Sequence, residues 1–213
     1  MHVHSITIGP IESNCHILVG ENSQALVVDP GDEADRILQK IESLGLTVVG
    51  YPLTHGHVDH VSALAAVYRK HPAPVGIHPL DGAWAFSETN QIPPFYGAPE
   101  APPSIERSYE DGQTWEDGGL QYEVLFTPGH SPGGVCFHFR NEKVLIAGDT
   151  LFSGSVGRTD LPGGDPQILA DSLERLKSLP EDTVVHCGHG PSTTLGKEKA
   201  TNPFMQAGGF SAW

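Results

Sequence analysis

The apolar positions of the N-terminal thirty residues fall into short runs that read as strands. Val3, Ile6 and Ile8 begin one and Cys15 to Val19 form a second. Ala25-Leu26-Val27-Val28 is a third, stopped by Asp29-Pro30-Gly31. The period then changes. Ile37, Leu38, Ile41 and Leu44 stand at i, i+1, i+4 and i+7, one stripe of a helix that Gly45 closes. Val48 to Leu53 is another buried strand and runs straight into Thr54-His55-Gly56-His57-Val58-Asp59-His60. A second helix starting near Val61 carries Val61, Leu64 and Tyr68 on its apolar face until His71-Pro72 ends it. Over residues 88–113, Pro93, Pro94, Pro99, Pro102 and Pro103 break regular structure. The stretch from Glu88 to Asp111, with Phe95 and Tyr96, is therefore a flap over a site or a connection between half-domains.

Three more strands follow, at Leu120 to Phe126, Val135 to Phe139 and Val144 to Ala147. Asp165 is placed as the N-cap and Pro166 as the first residue of a helix whose inner face is Leu169, Leu173 and Leu176. Thr183 to His186 is a last short strand before Gly188-His189-Gly190. Phe210 and Trp213, behind Gly208-Gly209, either dock on the body or a partner subunit or belong to a frayed tail. Two groups of strands, each followed by helix, predict an α/β fold of two packed sheets with helices outside. No domain boundary is visible in residues 1–213.

Composition narrows the chemistry. Lys plus Arg number 12 against 26 Asp plus Glu, a formal charge of −14. Without a cluster of basic residues, such a chain is unsuited to nucleic acid or an anionic membrane surface. No apolar stretch approaches the roughly 18 residues of a membrane span, and Met1-His2-Val3-His4 lacks the pattern of a secretory signal. Cys15, Cys136 and Cys187 are odd in number and irregularly spaced, which points to a reducing cytoplasm.

The sharpest motif is His55-x-His57-x-Asp59-His60. With 12 His and 12 Asp in 213 residues, chance would produce it about 0.002 times in such a chain. It lies between a strand and a helix, where a tight turn aims alternate side chains at one point. His130, Asp149 and His189 each follow a glycine at the end of a strand candidate. Five imidazoles and two carboxylates exceed the four ligands of one tetrahedral zinc and suit two ions sharing a carboxylate. His2, His4, His16, His71, His78, His138 and His186 lack partners at ligand spacing.

These words resemble the metallo-β-lactamase superfamily, and within it the short glyoxalase II-like, hydroxyacylglutathione hydrolase-like enzymes. The resemblance rests on Val28-Asp29-Pro30-Gly31, Thr54 to His60, Thr127-Pro128-Gly129-His130, Ala147-Gly148-Asp149-Thr150, Gly157-Arg158-Thr159-Asp160 and Gly188-His189-Gly190-Pro191. It spans about residues 5 to 205 and implies the αββα four-layer sandwich. It also implies one metal on His55, His57 and His130, a second on Asp59, His60 and His189, and Asp149 between them. The cofactor implied is two zinc ions per chain, with iron or manganese also suited to nitrogen and oxygen donors. Asp149 stands where many zinc β-lactamases place a cysteine, which argues against antibiotic hydrolysis. Only 24 residues follow His189, so the helical extension that gives full glyoxalase II enzymes their glutathione contacts is missing.

A thioester suits this inventory. Its thiolate, whose parent thiol has a pKa near 8.5, departs without a strong general acid, and Asp59 is placed to orient the attacking water. The resemblance alone makes the substrate S-lactoylglutathione. Asp29 and Asp160 are the carboxylates expected to orient the imidazoles, with Arg158 either pairing with Asp160 or meeting an anionic substrate. Lys197 and Lys199 read as solvated surface lysines. A mono-iron persulfide dioxygenase of the same fold, using His55, His130 and Asp149, stays open on the sequence. A nuclease and a non-catalytic metal-binding protein are weaker alternatives.

Overall fold

Neighbouring residues of the central strands point into different layers, and this explains why those strands are apolar at consecutive positions rather than alternate ones. The computed structural model describes residues 1–206; the expectation for Phe210 and Trp213 lies outside the described residues. The first sheet has the order β1 (His2–Ile8), β2 (Ser13–Val19), β3 (Gln24–Val28), β4 (Thr47–Pro52), β5 (Val75–Ile77), β6 (Arg107–Ser108). Its first three strands pair antiparallel and the rest parallel. The second sheet runs β7 (Thr114–Asp117), β8 (Leu120–Phe126), β9 (Val135–Phe139), β10 (Val144–Gly148), β11 (Val184–Cys187), β12 (Thr193–Thr194), with β10 and β11 parallel and the other pairs antiparallel.

Leu18, Leu26 and Val28 of the first sheet meet Tyr122, Val124, Phe137 and Ile146 of the second in the central layer. Their sequence neighbours Ile17 and Val27 turn the other way, onto Ile37 and Ile41 of α1 (Ala34–Ser43) and Leu64 and Val67 of α3 (Leu64–Lys70). Across the molecule Cys136, Leu145 and Val185 pack on Leu173 and Leu176 of α5 (Pro166–Leu176) and Leu195 of α6 (Leu195–Thr201). The layers are thus helix, sheet, sheet, helix, as the pattern predicts. No helix among the described residues is long and apolar enough to cross a membrane.

The helix expected from Val61 is two pieces, α2 (Val58–Val61) and α3. The break has an identifiable cause. The Ala63 amide donates to the carbonyl of Pro30, at 3.0 Å, instead of to Asp59. The Asp59 carbonyl accepts from the Ser13 hydroxyl at 2.7 Å. Both ends of one helical hydrogen bond are therefore diverted to distant segments. Within the proline-rich stretch, β6 forms as a two-residue edge strand on β5, so the segment is not wholly irregular. The sequence reading also passes over α4 (Pro79–Gly82), which His78 caps by accepting from the Leu80 amide, and over β7, β12 and α6.

Candidate metal centre

Five strands end at one edge of the sandwich, and each delivers part of one cluster. β3 is followed by Asp29, β4 by Thr54 and His55, β8 by the turn to His130, β10 by Asp149 and β11 by Gly188-His189. The sheets are fastened there by the Val135 amide on the Thr54 carbonyl (2.8 Å) and the Asn14 amide on the Gly188 carbonyl (2.7 Å). Glycine at 188 is a steric requirement: a Cβ there would lie 2.0 Å from Asp149 Oδ1.

The structure brings all seven expected side chains together. The donor atoms of His55, His57 and His130 lie within 4.8 Å of one another, and so do those of Asp59, His60 and His189. Asp149 stands between the groups, Oδ2 at 3.4 Å from His130 Nε2 and 3.5 Å from His189 Nε2, Oδ1 at 3.5 Å from His60 Nε2. Asp59 Oδ2 is 3.4 Å from His60 Nε2 and 3.3 Å from His189 Nε2. A third group, Asp29 with His55 and His60, is also close enough to hold an ion. The carboxylate of Asp29 is already engaged, however. Its oxygens accept from the Thr54 amide (2.8 Å), the Thr54 hydroxyl (2.6 Å) and His60 Nδ1 (3.1 Å).

The backs of the imidazoles are held by identifiable acceptors. The single hydroxyl proton of Thr54 goes to Asp29, so at the 3.0 Å contact with His55 Nδ1 the ring is the donor. This leaves His55 Nε2 with a lone pair, buried and without a hydrogen-bond partner, and Asp149 Oδ1 is likewise buried and unpartnered. Buried polar atoms are normally paired, and a cation between these donors would satisfy both. His130 donates through Nδ1 to the Arg158 carbonyl (2.7 Å), and His189 through Nδ1 to the carbonyls of Ile11 and Glu12 (3.1 and 3.2 Å). Each therefore presents Nε2 to the cluster.

The two halves differ electrostatically. Burial, reinforced by the neighbouring rings, pushes His55 well below the ordinary histidine value, and burial with His130 holds His57 down at about 3. Burial also opposes the charging of His60 and His189, but the adjacent carboxylates override it, and His60 rises to about 10. Asp59, despite its burial, is held below the usual carboxylate range by His60 and His189. His55 and His57 thus offer neutral imidazoles, while the other half offers anionic oxygen and keeps a proton where a cation would sit.

Two expectations for the surrounding residues separate here. Asp29 lies behind an imidazole, its Oδ2 at 3.1 Å from His60 Nδ1. Asp160 does not orient an imidazole: its oxygens accept two hydrogen bonds from the exposed Arg158 guanidinium, at 2.6 and 2.7 Å, and the Arg158 carbonyl takes the position behind His130. Three contributors escape the sequence reading. Thr54 is one. Asn14 is another, donating to the carbonyls of Cys187 and Gly190 and so fixing the loop of His189; a buried polar pair, Ser13-Asn14, opening an apolar strand was its only signal. The third is Asp81, which accepts from the Gly56 amide (2.9 Å), the Ser131 hydroxyl (2.7 Å) and the Gly133 amide (2.5 Å). It ties the loop of His55 to that of His130, and burial raises its pKa despite these donors.

Above the cluster opens a cleft of about 980 Å³ with His57, Asp59, His130, Asp149 and His189 on its floor. Thr89 to Ile92, from the segment expected as a flap, line one side. The Asn90 amide anchors that segment to the carbonyls of Gly56 and Ala85 at 2.8 and 2.5 Å.

The family model described as the Metallo-beta-lactamase superfamily matches residues 8–189. Among curated relatives, the probable metallo-hydrolase YqgX of Bacillus subtilis (strain 168) is 39% identical over 96% of this chain and 96% of its own length. The hydroxyacylglutathione hydrolase GloC of Haemophilus influenzae is 33% identical, covering 97% and 99%. Among solved structures, the BLEG-1 B3 metallo-beta-lactamase superposes with a TM-score of 0.90 at 34% identity, over 97% of this chain and 100% of that one. TTHA1623, solved in a di-iron-bound form, gives 0.80 at 40% identity, over 95% and 100%.

Proposed function

This chain belongs to the metallo-beta-lactamase superfamily, and from that premise we propose that it is a metal-dependent thioester hydrolase, with S-lactoylglutathione the first substrate to test. Residues 1–213 are read as one catalytic domain. His55, His57 and His130 would hold one ion, Asp59, His60 and His189 a second, and Asp149 would be shared. The observation that carries the reading is the pair of buried atoms without partners, His55 Nε2 and Asp149 Oδ1, facing the remaining donors. That GloC is a hydroxyacylglutathione hydrolase supports the substrate class, and the di-iron form of TTHA1623 supports iron beside zinc as a candidate metal.

Held by these residues, divalent ions would supply a water of lowered pKa and a Lewis acid for the substrate carbonyl. The protein's own groups do the rest. Asp59 orients the attacking water, and the carbonyls behind His130 and His189 fix which nitrogen each ring presents. The low pKa values of His55 and His57 keep both rings unprotonated at neutral pH. No general acid is required for a thiolate leaving group.

The second reading, hydrolysis of a β-lactam, is favoured by the likeness to BLEG-1. A mono-iron persulfide dioxygenase would need only His55, His130 and Asp149, so the number and identity of the bound metals separate it from the hydrolase. The deciding experiment is metal analysis of protein purified without added metal, followed by assays of S-lactoylglutathione, nitrocefin and a glutathione persulfide. About two ions per chain with thioester turnover is the expected result. One iron with oxygen uptake and no thioester turnover would overturn it.

A further inference from the structure

The walls of the cleft speak to what the substrate carries beyond its reacting carbonyl. Trp84 stands beside one half of the floor, its ring centroid 5.3 Å from that of His57. Phe152 stands beside the other, 5.8 Å from His189. Ile92, Val156 and Leu161 add apolar surface to the same cleft. Trp84 and Phe152 thus both line the cleft, each next to a different histidine of the cluster.

Charge is as informative as shape. Among the described residues lining the cleft, Arg158 alone carries a fixed positive charge, and both its Nε and an Nη are spent on Asp160. The lysines after His189 are elsewhere: Lys197 Nζ donates to Ser153 Oγ and Lys199 Nζ to the Leu179 carbonyl, and neither lines the cleft. Beyond the metal centre, a tripeptide thiol with two carboxylates would find one side-chain cation on these walls, already paired, on a protein of net charge −14.

Resting on the thioester-hydrolase reading, we infer that the preferred substrate is an uncharged thioester with an apolar acyl chain, seated between Trp84 and Phe152 against Ile92, Val156 and Leu161. Hydrolysis forms a bond from water oxygen to the acyl carbon and breaks the carbon–sulfur bond. The sulfur takes one water proton as the thiol, and the acid product gives up the other to solvent. Trp84 and Phe152 touch the chain, not the reacting atoms, and set specificity.

The test compares metal-loaded protein on acetyl, butyryl and hexanoyl thioesters of N-acetylcysteamine, then on the hexanoyl thioester of glutathione. Each added methylene should raise kcat/KM about threefold until the cleft is filled, and the neutral hexanoyl ester should exceed its glutathione counterpart at least about tenfold. Trp84→Ala and Phe152→Ala should each flatten the chain-length dependence. Independently of turnover, the hexyl thioether of N-acetylcysteamine should bind and perturb tryptophan fluorescence, with the signal lost in Trp84→Phe. A flat chain-length series, a preference for the glutathione ester, or no thioether binding would overturn the inference. If no thioester is cleaved, the hydrolase reading fails by itself, and thioether binding still decides the nature of the cleft.

Discussion

The Thr54 hydroxyl decides which nitrogen of His55 is free. It has one proton, spent on Asp29, so it must accept from His55 Nδ1. Replacing it by valine keeps the shape, strips a donor from a buried carboxylate and releases the ring to either tautomer. Thr54→Val should therefore cost on the order of 1–3 kcal/mol of stability and lower metal affinity about 10- to 100-fold. Thr54→Ser should recover most of both. Chelator competition and denaturant unfolding on the three proteins check this; equal metal retention in the valine variant would mean that His55 is oriented by something else. The same reasoning explains why the neighbourhood of Asp160 misled the sequence reading. A carboxylate two residues from an arginine in an exposed loop satisfies itself locally, while the group behind His130 is a backbone carbonyl, and every residue has one of those.

At the scale of elements, β2 shows what the sequence could and could not disclose. Its apolar residues announced a buried strand, and the two-layer packing of Ile17 and Leu18 follows from consecutive burial. Helices α1 and α5 were legible for the same reason, since stripe, cap and closing glycine are all local. The division of α2 from α3 was not legible, because the groups that interrupt it, Ser13 and Pro30, are remote in sequence. Asp81 was hidden for a similar reason: in Pro79-Leu80-Asp81-Gly82 it looks like an ordinary turn residue, and only the approach of Gly56 and Gly133 gives it a task.

His16 is the other polar residue that β2 buries. Its Nε2 donates to the Cys187 carbonyl at 3.1 Å, so its Nδ1 accepts from the Ser5 hydroxyl at 2.9 Å. Burial, with His186 nearby, depresses its pKa from 6.5 to about 3. Between those values the unfolded chain binds a proton that the folded chain refuses. The stability this ring contributes is therefore present above pH 6.5 and lost as pH falls toward 3, at about 1.4 kcal/mol per pH unit. In cation-free protein, His16→Gln should be less stable at pH 7.5 yet lose less stability on acidification than the parent. Parallel unfolding curves for the two proteins across pH 4–7 would contradict the assignment.

The whole molecule poses an electrostatic problem that a bound cation would relieve. Two half-sandwiches, each contributing strand ends, converge on Asp59 and Asp149 in a chain of formal charge −14. Without metal, the cluster compensates with a proton: the carboxylates about His60 hold its pKa at about 10. His60 can serve as a ligand through Nε2 only after losing that proton, because Nδ1 is committed to Asp29. Loading should therefore release at least one proton per chain near pH 7.5, and affinity should strengthen with rising pH until about 10, where the free site is itself unprotonated. Calorimetric titration of zinc or ferrous iron in two buffers of different ionisation enthalpy measures the release directly. A cation held there would join elements from both sheets, so it should stabilise the folded chain as any ligand of the native state does, by about 4 kcal/mol at a free concentration a thousand times its dissociation constant. Dialysis against a chelator should lower the melting temperature, and restoring metal should raise it again. Metal binding with no proton uptake or release in either buffer would mean that His60 lies outside the coordination sphere, and that the second ion is held by Asp59, Asp149 and His189 without it.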